Sequence, residues 1–406
     1  MSNEFAIMIL VELTSMGIAA HVWNKRQSAP LILALGFWAL IFFIFIFSPI
    51  QYVEIGAEAA LLISMSFIAF FIAYFIGVAT KINVCQQHPL PDLPRMRRIA
   101  LFAIALVSVG VALKSQLIIS VISGQENIFA LIRETSLEQG RQSSLIIKAV
   151  EVLLIPFLFL SVLLIFQKHI ALRRAGWGLA LLILLYQALS MSRGLIVYFF
   201  LMFVAYQFLA LSPKQGASVV SGGMRNKLVV KVLIGILIVF QMFAIVRTRD
   251  GMDSIASYVG STLTMKSWVP DSLVNSEAFI INIQLLHYLS SGLYGFAAYM
   301  EGEFPVGEYK FGTHSFAGAV KIFSTFQKTE VMAKEGFNYE YETILNPSTT
   351  NVYTFFREQV DDFGYWAILV HFFWGWLLGI SYRRYLSNPS NRGIIIPLAL
   401  TCWYMY

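Results

Sequence analysis

Charge is what this chain has least of. Only 13% of its 406 residues are Asp, Glu, Lys or Arg, against roughly 25% in a soluble domain. Cysteine is almost missing too, with two in the whole chain, which excludes a disulfide-stapled fold. Twelve prolines and 27 glycines are too few for a collagen or a Pro/Gly-rich disordered composition. What replaces the missing polarity is apolar: 58% hydrophobic and 15% aromatic residues, with a mean hydropathy of +0.69. A soluble fold of this length cannot hide that much apolar surface under a polar coat. The composition dictates an all-α polytopic membrane protein.

A span needs about 20 largely apolar residues. Candidates lie at 4–22, 30–49, 57–79, 99–121, 146–166, 177–190, 195–211, 229–246, 364–382 and 393–406. The run 177–211 is too long for one helix, and Ser190-Met191-Ser192-Arg193-Gly194 breaks it into a hairpin. The first segment lacks a basic n-region and a small-residue cleavage site, so it reads as a span rather than a signal peptide. The last is short for a span. The expected count is about 10 (10–12) transmembrane helices. The expected organisation is a bundle over 1–246, a long outer loop over 247–363 containing short helices, and final spans over 364–406.

Basic residues set the orientation. Alternate loops carry sixteen of them, from Lys25 and Arg26 to Arg383, Arg384 and Arg392, against one acid, Asp92. That set is expected inside, with both termini outside. The inner loops are short and hold no Walker or Rossmann glycine pattern, so ATP-driven transport and nucleotide-sugar chemistry on that face are not expected. Cys85 falls inside and Cys402 towards the outer leaflet, which excludes a disulfide between them. The net charge of +6 reports topology and not nucleic-acid binding.

The outer face is where polar sequence is invested. Its loop 247–363 is long enough to act as a lid or binding element. Within it 276–299 is apolar enough to lie in the interface or dip into the bilayer. Arginines cluster on this face: Arg133 and Arg141 in the loop near 122–145, Arg193 at the hairpin tip, Arg247 and Arg249 after the eighth span, and Arg357 before the ninth. All are expected near headgroup depth, where the planar guanidinium fork suits a lipid pyrophosphate. Lone arginines at span ends also simply snorkel. Lys148 and Glu151 read as an internal ion pair, and Lys114 interrupts an apolar run. Proton-transfer candidates are His287, His314, Glu340, Glu342, Asp361 and Asp362. His314 has a small-residue context, Gly312-Thr313-His314-Ser315, that lets a substrate approach. Asp361 and Asp362 also fit a helix N-terminus, where acids are favoured. The pairs Glu301/Glu303 and Glu340/Glu342 have no His cluster beside them, so no metal is expected.

At Thr350-Asn351-Val352-Tyr353-Thr354-Phe355-Phe356-Arg357, then Asp362-Phe363-Gly364, a span and Arg383-Arg384, the chain resembles the oligosaccharide repeat-unit polymerases. These are the Wzy proteins of bacterial O-antigen and related polysaccharide assembly. The Ser192-Arg193-Gly194 hairpin and the stretches Tyr288–Gly292 and His314–Phe316 are similar to that family as well. The resemblance implies a GT-C-like membrane glycosyltransferase in the bacterial inner membrane with its active site facing the periplasm. Its substrates would be glycans on undecaprenyl pyrophosphate, with no metal and no cofactor. A Wzz-like chain-length co-polymerase and membrane lipids would be its partners. Carried over by motif, pyrophosphate binding falls on Arg357 and Arg193, then on Arg133, Arg141, Arg247 and Arg249. His314 is the expected base, with Glu340 second; Tyr353, Tyr288 and Asn351 are expected to meet sugar. The nearest competing reading is an O-antigen ligase, separated only by the block ending at Arg357. A lipid-linked oligosaccharide flippase would show internal repeats and midplane charges, and no repeat is visible here.

Overall fold

The computed structural model describes residues 3–24, 27–80, 93–122, 145–167, 169–189, 194–211, 263–274, 276–302, 355–389 and 393–405. The expected span 229–246, and most of the loops, lie outside them. Among the described residues the protein is helical, with one isolated antiparallel bridge, Ile50 to Met265. The helices are α1 (Glu4–Asn24), α2 (Ala29–Phe47), α3 (Ala57–Ala79), α4 (Leu93–Ile122), α5 (Leu145–Ile165), α6 (Ile170–Leu189) and α7 (Gly194–Leu211). After these come α8 (Asp271–Val274), α9 (Glu277–Gly302), α10 (Phe355–Phe363), a 3₁₀ turn (Gly364–Trp366), α11 (Ala367–Ser387) and α12 (Ile395–Met405). Six helical stretches among the described residues are long and apolar enough to cross a membrane. Their outward faces carry Val11, Ile18, Leu61, Phe102, Leu181 and Phe373, a surface suited to lipid and not to water. The chain is a helical membrane protein.

It forms two compact units. One comprises Met1–Lys81, Val219–Arg383 and Tyr404–Tyr406, and the other Ile82–Ser218 and Arg384–Trp403.

In the first unit α3 and α11 run side by side at very close approach. A Cβ on Gly375 would lie 2.2 Å from the Phe70 carbonyl oxygen, one on Gly379 2.2 Å from that of Tyr74, and one on Gly77 2.4 Å from that of Trp376. Gly375 and Gly379 are spaced as Gly-x-x-x-Gly, which lets two helix backbones touch where lipid supplies no hydrophobic drive between helices. The contacts rise together along both chains, so the two helices are parallel.

The segment between α2 and α3 is pinned by strand-like pairing: Gln51 N–H donates to Thr264 O (2.7 Å) and Lys266 N–H to Pro49 O (2.8 Å). Charge placed both segments outside, and they meet. Lys266 Nζ donates to Ile46 O at 2.9 Å, and burial holds its pKa below the ordinary lysine value. Trp268, Tyr365 and Trp366 are exposed near this end, at 62%, 51% and 69%, as an aromatic belt at a membrane interface would be.

In the second unit α4, α5 and α6 pack together. Ala100, Leu164 and Leu172 share a core cluster, which brings the starts of α4 and α6 to the end of α5. The exposed arginines 95, 97, 98, 173 and 174 therefore gather at one end, as the positive-charge rule requires. Gly176 lets α6 approach α5, since a Cβ there would sit 2.6 Å from Ile165 N. α6 ends at Leu189 and α7 starts at Gly194, so the break falls where the Ser-Arg-Gly run predicts.

The chain turns sharply at Gly364, whose φ is +56°. In a continuous helix Phe356 and His371 would be about 22 Å apart, yet their rings stack at a 5.1 Å centroid separation. α10 therefore folds back along α11 instead of extending it. Left-handed backbone costs a non-glycine residue about 1–2 kcal/mol, and Asn tolerates it best. Gly364→Val is expected to lower the unfolding midpoint in detergent clearly more than Gly364→Asn. Equal midpoints would contradict the turn.

Candidate functional site

The fold-back carries Arg357 into the protein. Phe356 packs on Trp38 (5.5 Å), Phe67 (5.7 Å) and Phe296 (5.8 Å) as well as on His371. Trp38 and Phe67 lie near the middles of α2 and α3, and His371 lies six residues below Tyr365, roughly 9 Å along a helix. The backbone at Arg357 is thus well beneath the Tyr365–Trp366 level. Non-lipid-facing backbone at such depth is tolerated because protein surrounds it.

Arg357 is 7% exposed. Its guanidinium carbon sits 4.8 Å over the Tyr299 ring, and its Nε is 3.8 Å from Asp361 Oδ2 on the next turn. The Tyr299 hydroxyl donates to Asp361 Oδ1. Ring, carboxylate and cation form a closed triad from α9 and α10. A guanidinium has five N–H donors, more than one carboxylate engages. Removing such charges from water costs several kcal/mol per ion, so a buried pair contributes little to stability. Ionisable residues at this depth are accordingly functional candidates. The N-terminal end of α10 lies one residue before Phe356–Arg357, which adds its positive dipole end to the same place.

Asp361 (8% exposed) and Asp362 (0%) are buried in the last turn of α10. The expectation that they cap a helix N-terminus is wrong: the glycine turn ends one helix before the next begins. At a helix C-terminus the dipole disfavours acids, and for Asp361 the Tyr299 hydroxyl and Arg357 compensate.

Beneath this layer His371 Nδ1 meets the Tyr404 hydroxyl at 3.1 Å. Trp38 Nε1 donates to Tyr404 O at 2.8 Å, and the Tyr404 ring stacks on Phe70 at 3.7 Å. These contacts fix the floor on which Phe356 rests.

Along α9, Tyr52 OH lies 2.9 Å from Ser290 Oγ and 3.1 Å from His287 Nδ1. Ser290 Oγ also donates to Leu286 O (2.7 Å), so Tyr52, His287 and Ser290 form a side-chain network that pins α9. Burial pushes the Tyr52 hydroxyl well above its ordinary pKa, so it stays a neutral donor. The stretch 276–299 is a helix packed on α2 and α3, with Ser290 through Ala297 all buried.

Of the residues to which the resemblance gives a role, the structure describes the side chain of Arg357 alone. Arg133, Arg141, Arg193, Arg247, Arg249, His314, Glu340, Asn351 and Tyr353 lie outside the described residues. Tyr288 is on α9, with its side chain outside them as well. No group of three or more His, Cys, Asp or Glu able to hold a metal occurs among the described residues. No protein-family model, curated protein or solved structure matches the chain.

Sequence reasoning did not join Tyr299, which carries the triad, to Arg357 and Asp361. The only signal at Tyr299 is aromatic character late in an apolar stretch, which many interfacial residues share. Glu151 is the expected partner of Lys148, whose side chain lies outside the described residues. Glu151 Oε1 receives the Tyr186 hydroxyl at 3.5 Å, and Lys114 Nζ lies 4.5 Å over the Tyr186 ring.

Proposed function

We propose that this protein polymerises oligosaccharide repeat units carried on a polyprenyl pyrophosphate, at the outer face of a bacterial cytoplasmic membrane, within a GT-C-like fold of about ten spans. The observation that carries the reading is the buried Arg357, held over Tyr299 and against Asp361 on a helix that folds back at Gly364. A diphosphate is a good leaving group once its developing charge is met by fixed donors, and a guanidinium beside a helix N-terminus supplies them. In the reaction the acceptor sugar hydroxyl bonds to the anomeric carbon of the donor glycan. The bond from that carbon to the pyrophosphate breaks, and the pyrophosphate leaves with the electron pair. A base takes the hydroxyl proton; His314, with Glu340 second, keeps that role in the proposal.

The acceptor distinguishes polymerase from ligase. Purified protein is given a labelled lipid-linked repeat unit, with and without lipid A core. A ladder of label that stays on the polyprenyl carrier is the expected product. Label found only on the core would make the protein a ligase. In the same assay His314→Ala is expected to lose turnover across about pH 6–8, and wild-type turnover would remove it from the base role.

A further inference from the structure

The arginine-rich end of the second unit carries more positive charge than its own groups neutralise. α4 and α6 pack together and start side by side, which gathers Arg95, Arg97 and Arg98 of α4 with Arg173 and Arg174 of α6. All five are exposed, and among the described residues no carboxylate pairs with them. Among the described residues of this unit the one acid is Glu151, near the start of α5 and so towards the opposite end. Cations in the first turn of a helix are disfavoured by its dipole, so these arginines do not stabilise the helices they sit on. Positive charge at this end orients the chain in the membrane, but that alone does not require guanidinium groups crowded onto two touching helices.

Directly beyond the arginines both helices become apolar. From Ile99 to Leu113 and from Ala175 to Leu189 neither carries a charge. Arg98 stands one turn from exposed Leu101 and Phe102, and Arg174 one turn from exposed Trp177 and two from exposed Leu181. Each helix therefore sets a guanidinium above side chains that face lipid, with a tryptophan at interface depth on α6. Cation first and apolar surface next is the order of a phospholipid, an anionic head followed by acyl chains. An acidic protein would instead bring polar surface against these apolar side chains. A guanidinium fork meets two phosphate oxygens together, and helices in contact have axes about 8–10 Å apart. A lipid with one phosphate engages one helix of the pair. A lipid whose two phosphates share one glycerol spans both, as basic pockets between spans on this side of a bilayer allow.

We propose that the paired starts of α4 and α6 bind one phospholipid with two phosphates, of the cardiolipin class, one phosphate at Arg98 and the other at Arg174. The site is separate from the pyrophosphate chemistry and does not depend on the polymerase reading.

Native mass spectrometry of the full chain, delipidated in detergent and titrated with tetraoleoyl cardiolipin or, at equal phosphate, dioleoyl phosphatidylglycerol, reads the affinity for each. Wild type is expected to hold one cardiolipin at least about fivefold more tightly, since its second phosphate brings one more arginine into contact. Arg98→Gln/Arg174→Gln should lose about 25-fold for cardiolipin, at about fivefold per arginine. Arg383→Gln/Arg384→Gln removes the same charge from the exposed end of α11. Screened at physiological salt, that variant should change cardiolipin binding by less than about twofold. Each variant is checked for a monodisperse elution profile. Equal affinity of wild type for the two lipids would overturn the proposal and needs no variant. So would equal losses in the two double variants, which would leave only general attraction to a charged surface. Displacement of the bound cardiolipin by polyglutamate at equal charge would overturn it in favour of an acidic protein partner.

Discussion

Arg357→Lys is expected to lose about 10²–10³-fold in polymer formation, the scale of removing one preorganised donor from a developing oxyanion. Protein level and thermal unfolding should stay near wild type. Lysine keeps the charge and can still lie over Tyr299, but it loses the planar fork that meets two phosphate oxygens together. Arg357→Ala should be at least as inactive. Asp361→Asn and Tyr299→Phe act through the guanidinium, because each loosens one side of the triad. They are expected to lose activity by about tenfold and to be partly rescued by higher donor concentration, as positioning defects are. Full activity of Arg357→Lys would show that bidentate binding plays no part.

Gly379→Val is expected to remove folded protein almost completely. Its Cβ would be placed 2.2 Å from the Tyr74 carbonyl oxygen, which belongs to backbone and cannot rotate away. Overpacking costs typically about 1–3 kcal/mol, and more where backbone must separate. The loss should extend to activity, because α11 carries His371 and through it the seat of Phe356. Gly375→Val should behave alike. Gly36→Val is the internal control, since nothing lies within 4 Å of a Cβ there. Equal yields of monodisperse Gly379→Val and Gly36→Val protein would contradict the close helix contact.

The helices were legible because membrane spans announce themselves by length and apolar content, and most expected bounds fall within a few residues of the observed ones. The break at 190–194 was legible because a charge beside a glycine is costly inside an apolar run. Arginines at one end of α4 and α6 followed from the charge rule. The fold-back of α10 was not legible in the same way. Apolar counting runs 356–387 together as one span, and only the backbone conformation required of Gly364 separates them. The Arg357 triad and the Lys114–Tyr186–Glu151 cluster also escaped, for a common reason. Tyr299 pairs with Asp361 across 62 residues and Tyr186 with Glu151 across 35, and no local periodicity encodes a contact between different helices. Gly375 and Gly379 carried a usable signal, since their spacing of four marks a close helix contact.

The most direct test of the account is one turnover of purified, reconstituted protein on a single lipid-linked repeat unit, in EDTA and without nucleotide, with products weighed by mass spectrometry. The account predicts equal amounts of a two-unit glycan on one carrier and of released polyprenyl pyrophosphate, both lost in Arg357→Lys. Transfer of the unaltered lipid-linked unit across the bilayer, with neither product formed, would contradict it and leave a carrier in place of a polymerase.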